Sequence, residues 1–118
     1  MLTLHTIEQR LADMCVFVAI TGAGRIIGTI GCRLENAQEG HIRGMAVDGE
    51  WQGSGVAQRL LNAVESELGG KGCSRISLGT TQPLQRAIRF YERNGFRSTG
   101  KVTDFFGMAL YEYVKKLD

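Results

Sequence analysis

The sequence lacks an apolar run long enough to cross a bilayer. Its longest apolar run, residues 14–20, is far short of the ~18 residues that a transmembrane helix needs. Glu8, Arg10 and Asp13 also interrupt any signal-peptide pattern near the start. We therefore expect a cytoplasmic protein without a membrane partner.

The chain also lacks the cysteine patterns of metal sites and disulfide frameworks. Its three cysteines, Cys15, Cys32 and Cys73, are odd in number and show neither C-x-x-C nor Cys/His metal spacing. Reduced and mostly buried thiols are the ordinary state of such residues. We therefore expect buried, reduced cysteines and no bound metal.

A large excess of charge of one sign is missing as well. The formal net charge is +2, which is too small to indicate a nucleic-acid partner, and basic and aromatic residues do not interleave. No internal repeat or low-complexity segment interrupts the chain, and its 118 residues suit one domain. We therefore expect a single domain over residues 1–118 that has no nucleic-acid partner.

The first half of the chain shows a helical pattern followed by strand patterns. A short helix is predicted over residues 3–13, because Leu4, Ile7 and Leu11 share one side at helical spacing. Runs rich in β-branched and other apolar residues then predict three meandering strands, of which the first two would form an antiparallel hairpin. These strands cover residues 14–21, 25–34 and 41–47.

The second half of the chain alternates helices and strands. Residues 55–68 predict a helix with one apolar stripe, which is typical of packing on a sheet. The one proline, Pro83, suits the first turn of a second helix that ends before Gly95. The crossover through the first of these helices places residues 75–80 parallel to and beside residues 41–47. The strands cover residues 75–80, 101–106 and 108–114.

Residues 51–57, Trp-Gln-Gly-Ser-Gly-Val-Ala, form a glycine loop between a strand and a helix. Gly53 and Gly55 remove side chains where the backbone turns and approaches a ligand, so successive N–H groups can point at phosphate oxygens. The helix that opens there adds unpaired N–H groups and the positive end of its dipole. A dinucleotide is disfavoured, because G-x-G-x-x-G would need glycine at Gln58. The loop therefore predicts a site for a phosphorylated ligand of another class.

The frame of this loop, Gln52-x-x-Gly55-x-Ala57, resembles the pyrophosphate loop of the GNAT acyltransferase superfamily. Residues 87–96, Ala-Ile-Arg-Phe-Tyr-Glu-Arg-Asn-Gly-Phe, are similar to the second signature of that family. The strand at residues 45–47 is similar to the family's strand whose backbone holds pantetheine. The matches follow one another in the family's order over about residues 40–96.

The resemblance implies a fold, an activity and a set of binding residues. The fold is α/β (α+β), with a mixed, mainly antiparallel sheet of about six strands flanked by helices. The activity is that of an N-acetyltransferase, which moves an acetyl group from acetyl-CoA to a primary amine by direct attack in a ternary complex. The implied cofactor-binding residues are Met45, Ala46, Val47, Gln52, Gly53, Ser54, Gly55, Val56, Ala57, Thr81, Ala87 and Phe90.

Two residues match catalytic positions of the family. Tyr91 matches the tyrosine that protonates the leaving thiolate; a ring that only packs under the cofactor is the alternative. His41 occupies, by register, the position of the family's glutamate base, and a histidine near its usual pKa suits that role. A merely exposed His41, a base at Glu39 or Glu35, and loss of the amine proton to bulk water are open alternatives.

The chain departs from the family pattern at two points. Leu84 replaces an asparagine that contacts the cofactor, so this contact is missing or moved to Thr81 or Gln82. Only about a dozen residues precede Met14, so the usual first strand and helices are expected to be missing. The acceptor side is then short, open or completed by another copy. We expect a homodimer, because an uncovered sheet edge invites pairing.

The sequence leaves open whether the protein is an enzyme and what the arginines of the second helix do. A non-catalytic acyl-CoA sensor or regulatory subunit is the alternative to an enzyme; the short start and Leu84 favour it, whereas Tyr91 opposes it. Arg86, Arg89 and Arg93 lie opposite the apolar side of the second helix, where they form a solvated face or attract a phosphorylated ligand. The acceptor amine has no motif in the sequence.

Overall fold

One mixed sheet and two helices make up the described part of the protein. The computed structural model describes residues 2–7, 14–81 and 85–117. The elements are β1 (Leu2–Ile7), β2 (Met14–Thr21), β3 (Ile26–Leu34), β4 (Glu39–Val47), α1 (Val56–Gly70), β5 (Arg75–Thr80), α2 (Gln85–Arg93), β6 (Arg97–Phe105) and β7 (Met108–Lys116). The seven strands lie in the spatial order β1-β2-β3-β4-β5-β7-β6.

The predicted fold class is confirmed by the pairing of these strands. β4 and β5 pair in parallel through the α1 crossover, as the sequence predicts. The remaining neighbouring strands pair antiparallel, and β2 and β3 form the predicted hairpin. Neither helix in the described part of the chain is long and apolar enough to span a membrane.

The core lies between the sheet and α1. All the apolar residues of the predicted stripe, Val56, Leu60, Leu61, Val64 and Leu68, are buried. They pack with residues of the sheet and with apolar residues of α2 in one cluster. The Leu68 side chain packs directly against the β4 backbone at Gly40, where an added Cβ would lie 2.5 Å from Leu68 Cδ1. The three cysteines are buried in the same core, as predicted.

The start of the chain differs from its prediction. Leu2–Ile7 is a strand that pairs antiparallel with β2, so the helix predicted over residues 3–13 is wrong for this part. Pairing with a distant strand overrides the local helical spacing of apolar residues. The expected absence of a strand ahead of Met14 is also wrong, and the sheet has one strand more than the six or so expected. Residues 8–13, which the same helix prediction covers, lie outside the described residues.

Candidate active site

A gap opens between β4 and β5 partway along the sheet. Their ladder ends at the pair Ile42 and Leu78, and the described residues of the two strands form no pair beyond it. Arg43 is the extra residue of a bulge in β4, because the pairing with β3 shifts register there. A bulge bends the strand that carries it. β4 still pairs with β3 as far as Val47 and β5 with β7 as far as Thr80, so both sides of the gap stay ordered.

The glycine loop begins directly after β4. A 3₁₀ turn at Gly49–Trp51 is capped by Asp48, whose carboxylate accepts a backbone N–H of the turn and pairs with Arg25 at 2.6 Å. Gly53 and Gly55 have φ angles of 81° and 92°, a region in which side chains are strained. Gly55 is also the N-cap of α1 and has no side chain to cap it. The first N–H groups of α1 are therefore available to a ligand.

A cleft of about 690 Å³ lies between this loop and α2. Its lining combines loop backbone and guanidinium groups with apolar side chains, so it suits a ligand that has both phosphates and an apolar arm. The lining residues are Met45, Val47, Gln52, Gly53, Gly55, Ala57, Gln58, Arg86, Ala87, Phe90, Tyr91 and Arg93.

Arg86 and Gln52 join the two walls of the cleft. Arg86 Nη1 donates to Gln52 Oε1 at 3.4 Å, and Gln52 Nε2 donates to the Val47 carbonyl at 3.4 Å. Arg86 Nη2 lies 3.4 Å from the position that a Cβ on Gly53 would take. The guanidinium thus lies against the loop, where its charge can meet a phosphate.

Tyr91 lies where the cleft meets a smaller cavity. This cavity, of about 40 Å³, is bounded by residues on both sides of the gap, including Gly44 of β4 and Gly79 of β5. Tyr91 and Met45 line both the cleft and the cavity. The phenol is therefore at the place where a ligand in the cleft reaches the gap.

The phenol of Tyr91 is held by three aromatic rings. Phe90, Phe96 and Tyr113 lie with ring centroids 5.9, 6.0 and 6.0 Å from that of Tyr91. Burial raises the pKa of Tyr91 above its usual value, and the nearby Tyr113 adds to the rise. A phenol that keeps its proton at neutral pH is suited to donate it to a basic leaving group.

His41 faces the side of the sheet opposite this cleft. Its neighbours Gly40 and Ile42 are buried on the α1 side, and successive side chains of a strand alternate between faces. The half-buried ring has its Nδ1 2.9 Å from Ser77 Oγ. Burial is the main cause that lowers the pKa of His41, so the imidazole is neutral at pH 7.

Most residues predicted to hold a cofactor meet at the cleft. Four others do not line it with their side chains: Ala46 is exposed, Val56 packs in the core, Thr81 follows β5, and the Ser54 hydroxyl donates to the Trp51 carbonyl. Gln82 and Leu84, which bear on the missing asparagine contact, lie outside the described residues. The predicted residues that line the cleft are Met45, Val47, Gln52, Gly53, Gly55, Ala57, Ala87, Phe90 and Tyr91.

Sequence reasoning left three lining residues out of the site. Arg86 and Arg93 line the cleft, whereas Arg89 donates to Gln85 at 3.0 Å. Arg86, Arg89 and Arg93 are at i, i+3 and i+7, so helical spacing puts all three near one side and does not by itself separate Arg89 from the two that line the cleft. Gln58 also lines the cleft and donates to Asn94 Oδ1 at 2.7 Å.

The sheet, the gap between β4 and β5, the glycine loop and the cleft together define an acyltransferase of the GNAT class. A sequence model described as "Acetyltransferase (GNAT) family" matches residues 2–96. The aminoglycoside N(6′)-acetyltransferase type 1 of Stenotrophomonas maltophilia is 31% identical over 117 residues, which cover 91% of this chain and 76% of that protein. The chain belongs to the acetyltransferase (GNAT) family.

Solved structures show the same fold at lower sequence identity. A GNAT acetyltransferase from Elizabethkingia anophelis with acetyl-CoA bound has a TM-score of 0.80 and 16% identity, with 98% of each chain covered. The ribosomal-protein-S18-alanine N-acetyltransferase of Escherichia coli has a TM-score of 0.83 and 16% identity, covering 98% of this chain and 94% of that one. These likenesses establish the fold alone.

Acetyl-CoA fits the chemistry of the residues that are present. Loop N–H groups and the guanidinium groups of Arg86 and Arg93 suit its phosphates, and the apolar lining from Met45 to the gap suits its pantetheine arm. The N-acetyltransferase activity follows from membership of the GNAT family. The protein is an acetyl-CoA-dependent N-acetyltransferase.

Proposed function

We propose that this chain acetylates the primary amine of an aminoglycoside by direct attack on acetyl-CoA in a ternary complex. The observation that carries the proposal is the gap beyond Ile42 and Leu78, which Tyr91 reaches from the cofactor cleft. The aminoglycoside class rests on the relative from Stenotrophomonas maltophilia, since its name specifies an aminoglycoside N(6′)-acetyltransferase. The amine approaches from the face of the sheet that carries His41.

In the proposed reaction the neutral amine nitrogen attacks the thioester carbonyl carbon. A C–N bond forms, the C–S bond breaks, and the leaving thiolate takes the proton of the Tyr91 phenol. The amine gives one proton to His41, which returns it to water, and Tyr91 is reprotonated from solvent. The half-buried phenol and the neutral imidazole support these roles, because each is in the required protonation state at pH 7.

We assign cofactor binding to the predicted set, with two kinds of contact. Met45, Val47, Gln52, Ala87 and Phe90 contribute from the lining of the cleft. Ala46, Ser54 and Val56, whose side chains do not line the cleft, contribute through backbone groups, and Thr81 takes over the contact that an asparagine makes in the family. Arg86 and Arg93 join the set because their guanidinium groups line the same cleft.

The proposal is tested by thiol release from acetyl-CoA with matched acceptors. One acceptor is an aminoglycoside with a 6′-amine, and its control is the same scaffold with a hydroxyl at that carbon. We expect thiol release with the amine and none above background with the hydroxyl compound. Release with simple amines or peptides but not with the aminoglycoside would overturn the acceptor class. Tight acetyl-CoA binding without release for any amine would instead support the non-catalytic sensor.

We further propose that two copies of the chain associate. Strand β6 is an edge of the sheet, all nine of its residues are exposed, and Phe106 at the β6–β7 turn is 89% exposed. Such an edge can pair with a second copy. Light scattering should then give twice the chain mass, and a monomeric mass at micromolar concentration would contradict the proposal. The cytoplasmic location stays a prediction.

A further inference from the structure

His41, Ser77 and Glu39 form a chain of side-chain contacts beside the gap. His41 and Ser77 are partners in the parallel ladder, one pair before its end, and His41 Nδ1 lies 2.9 Å from Ser77 Oγ. Ser77 is only 3% exposed, and its hydroxyl donates to Glu39 Oε2 at 3.3 Å. The other carboxylate oxygen of Glu39 lies 3.3 Å from Arg75 Nε. The carboxylate is therefore held at both oxygens.

The number of protons shared by His41, Ser77 and Glu39 decides the tautomer of His41. The Ser77 hydroxyl has one proton, and a carboxylate paired with arginine can only accept. If Ser77 donates to Glu39, its oxygen must accept from His41, so Nδ1 carries the imidazole proton. The opposite arrangement would place the Ser77 oxygen against a carboxylate oxygen with no proton between them. The contacts thus favour Nδ1–H and leave the lone pair on Nε2.

We propose that Ser77 and Glu39 are positioning residues for His41, which fix its proton on Nδ1 and present Nε2 as the base for the acceptor amine. The proposal rests on the role assigned to His41 under the proposed function. In many enzymes the base that activates a nucleophile is itself oriented by a third group. Here the nucleophile is the acceptor amine, the base is His41, and the Ser77 hydroxyl lies between the imidazole and the Glu39 carboxylate. When Nε2 takes the amine proton, the imidazolium keeps its Nδ1–H bond to Ser77, and Glu39 supplies the opposing charge.

The charges around His41 have both signs. Glu35 and Glu39 raise its pKa, Arg33 and Arg43 lower it, and burial lowers it most. These groups come from β3, β4 and the turn between them, and Arg75 of β5 is held by Glu39. Removal of the Glu39 charge should therefore lower the pKa of His41 further, without changing the tautomer, because a glutamine oxygen still accepts from Ser77.

The test is nitrogen NMR of the full chain labelled with ¹⁵N-histidine. The sequence has two histidines, His5 and His41, so a His41→Asn variant assigns both rings. Above its pKa, we expect His41 to carry its proton on Nδ1, whereas a neutral imidazole in water prefers Nε2. The Ser77→Ala variant should shift His41 toward Nε2–H, and the exposed Ser74→Ala control should leave it unchanged. The Glu39→Gln variant should keep Nδ1–H and titrate at lower pH.

A kinetic measurement links the tautomer to catalysis. Ser77→Ala should lower kcat for the 6′-amine aminoglycoside by on the order of tenfold, while KM for acetyl-CoA is unchanged. This loss is a part of the roughly 10²–10⁴-fold rate enhancement that a general base contributes. Ser77→Thr, which retains the hydroxyl, should restore most of the rate. A proton on Nε2 of His41 in the unsubstituted protein, or an unchanged tautomer in Ser77→Ala, would overturn the positioning role of Ser77 and Glu39. The predicted tautomer together with no thiol release for any amine would contradict the proposed function but not this positioning role.

Discussion

His41 and Tyr91 lie on opposite faces of the sheet, beside the point where the pairing of β4 with β5 ends. Tyr91 lines the cavity bounded by Ile42, and His41 precedes Ile42 on β4 with its side chain on the other face. A base on one face and an acid on the other fit the two proton transfers of the proposed reaction, because the attacking amine nitrogen and the departing sulfur lie in different directions from the carbonyl carbon.

Replacement of Tyr91 by phenylalanine tests the acid role. The ring would keep its packing but lose its proton, so kcat should fall by on the order of 100-fold. The acetyl-CoA dissociation constant, measured by calorimetry, should stay within about twofold. Tyr111→Phe, on β7 and outside the cleft lining, is the matched control. Unchanged turnover in Tyr91→Phe would leave the tyrosine with a packing role only.

The pH dependence of kcat/KM reports on both groups. His41 must be neutral to accept a proton, and its pKa is lowered, so activity should be lost only as pH falls below the ordinary histidine value. Tyr91 must be protonated, and its pKa is raised, so its loss of activity should lie above the ordinary tyrosine value. The profile must be corrected for ionisation of the acceptor amine. An acid limb that persists in His41→Asn would exclude His41 as its source.

The loop conformation is tested by alanine at Gly55. Its φ of 92° strains any side chain, and the glycine supports the turn into α1. Gly100, on β6, has a φ of 80°, and both positions have open space for a Cβ. Each alanine should therefore destabilise the protein by about 1–2 kcal/mol. Only Gly55→Ala should weaken acetyl-CoA binding, and equal effects on affinity would argue against the loop as the phosphate site.

Arg86 and Arg89 offer a matched pair on one helix. Arg86→Gln should weaken acetyl-CoA binding by about tenfold, equal to about 1.4 kcal/mol, because it removes a cation from the cleft. Arg89→Gln should have little effect, since Arg89 does not line the cleft and its guanidinium donates to Gln85. Pantetheine, which lacks the phosphates, should bind both variants equally. A loss of pantetheine affinity in Arg86→Gln would point to a structural effect.

The packing of α1 on β4 is tested at Gly40. A Cβ there would meet Leu68 at 2.5 Å, so Gly40→Ala should destabilise the fold by about 1–3 kcal/mol. Gly69, in the last turn of α1, is exposed with open space around it. Gly69→Ala should keep or raise stability by up to about 1 kcal/mol, because alanine favours the helix. Urea unfolding monitored by circular dichroism measures both changes, and equal stability of the two variants would contradict the close approach.

The elements that sequence patterns predicted are those with a strong local signal. The α1 stripe from Val56 to Leu68 repeats at helical spacing, and β2 is a continuous apolar run, so both were predictable. Leu2–Ile7 was not, because Leu4 and Ile7 fit a helix equally well, and the choice is made by hydrogen bonds to β2. Pairing between distant segments leaves little trace in local spacing.

The same distinction applies to the candidate site. The loop residues Gln52, Gly53 and Gly55 were predicted because their spacing carries the signal. The contact of Ser77 with His41 was not, since it depends on the register between β4 and β5, which local sequence does not specify. The position of Arg86 at the cleft depends in the same way on how α2 packs against the loop.

The loop from Trp51 to Ala57 and the cleft beside it are the predicted binding site of acetyl-CoA. Calorimetric titration of the purified protein with acetyl-CoA tests this most directly, with Gly55→Ala as the comparison. We predict saturable binding at one site per chain, which weakens in the variant. No detectable binding of acetyl-CoA to the folded, unsubstituted protein would contradict the account.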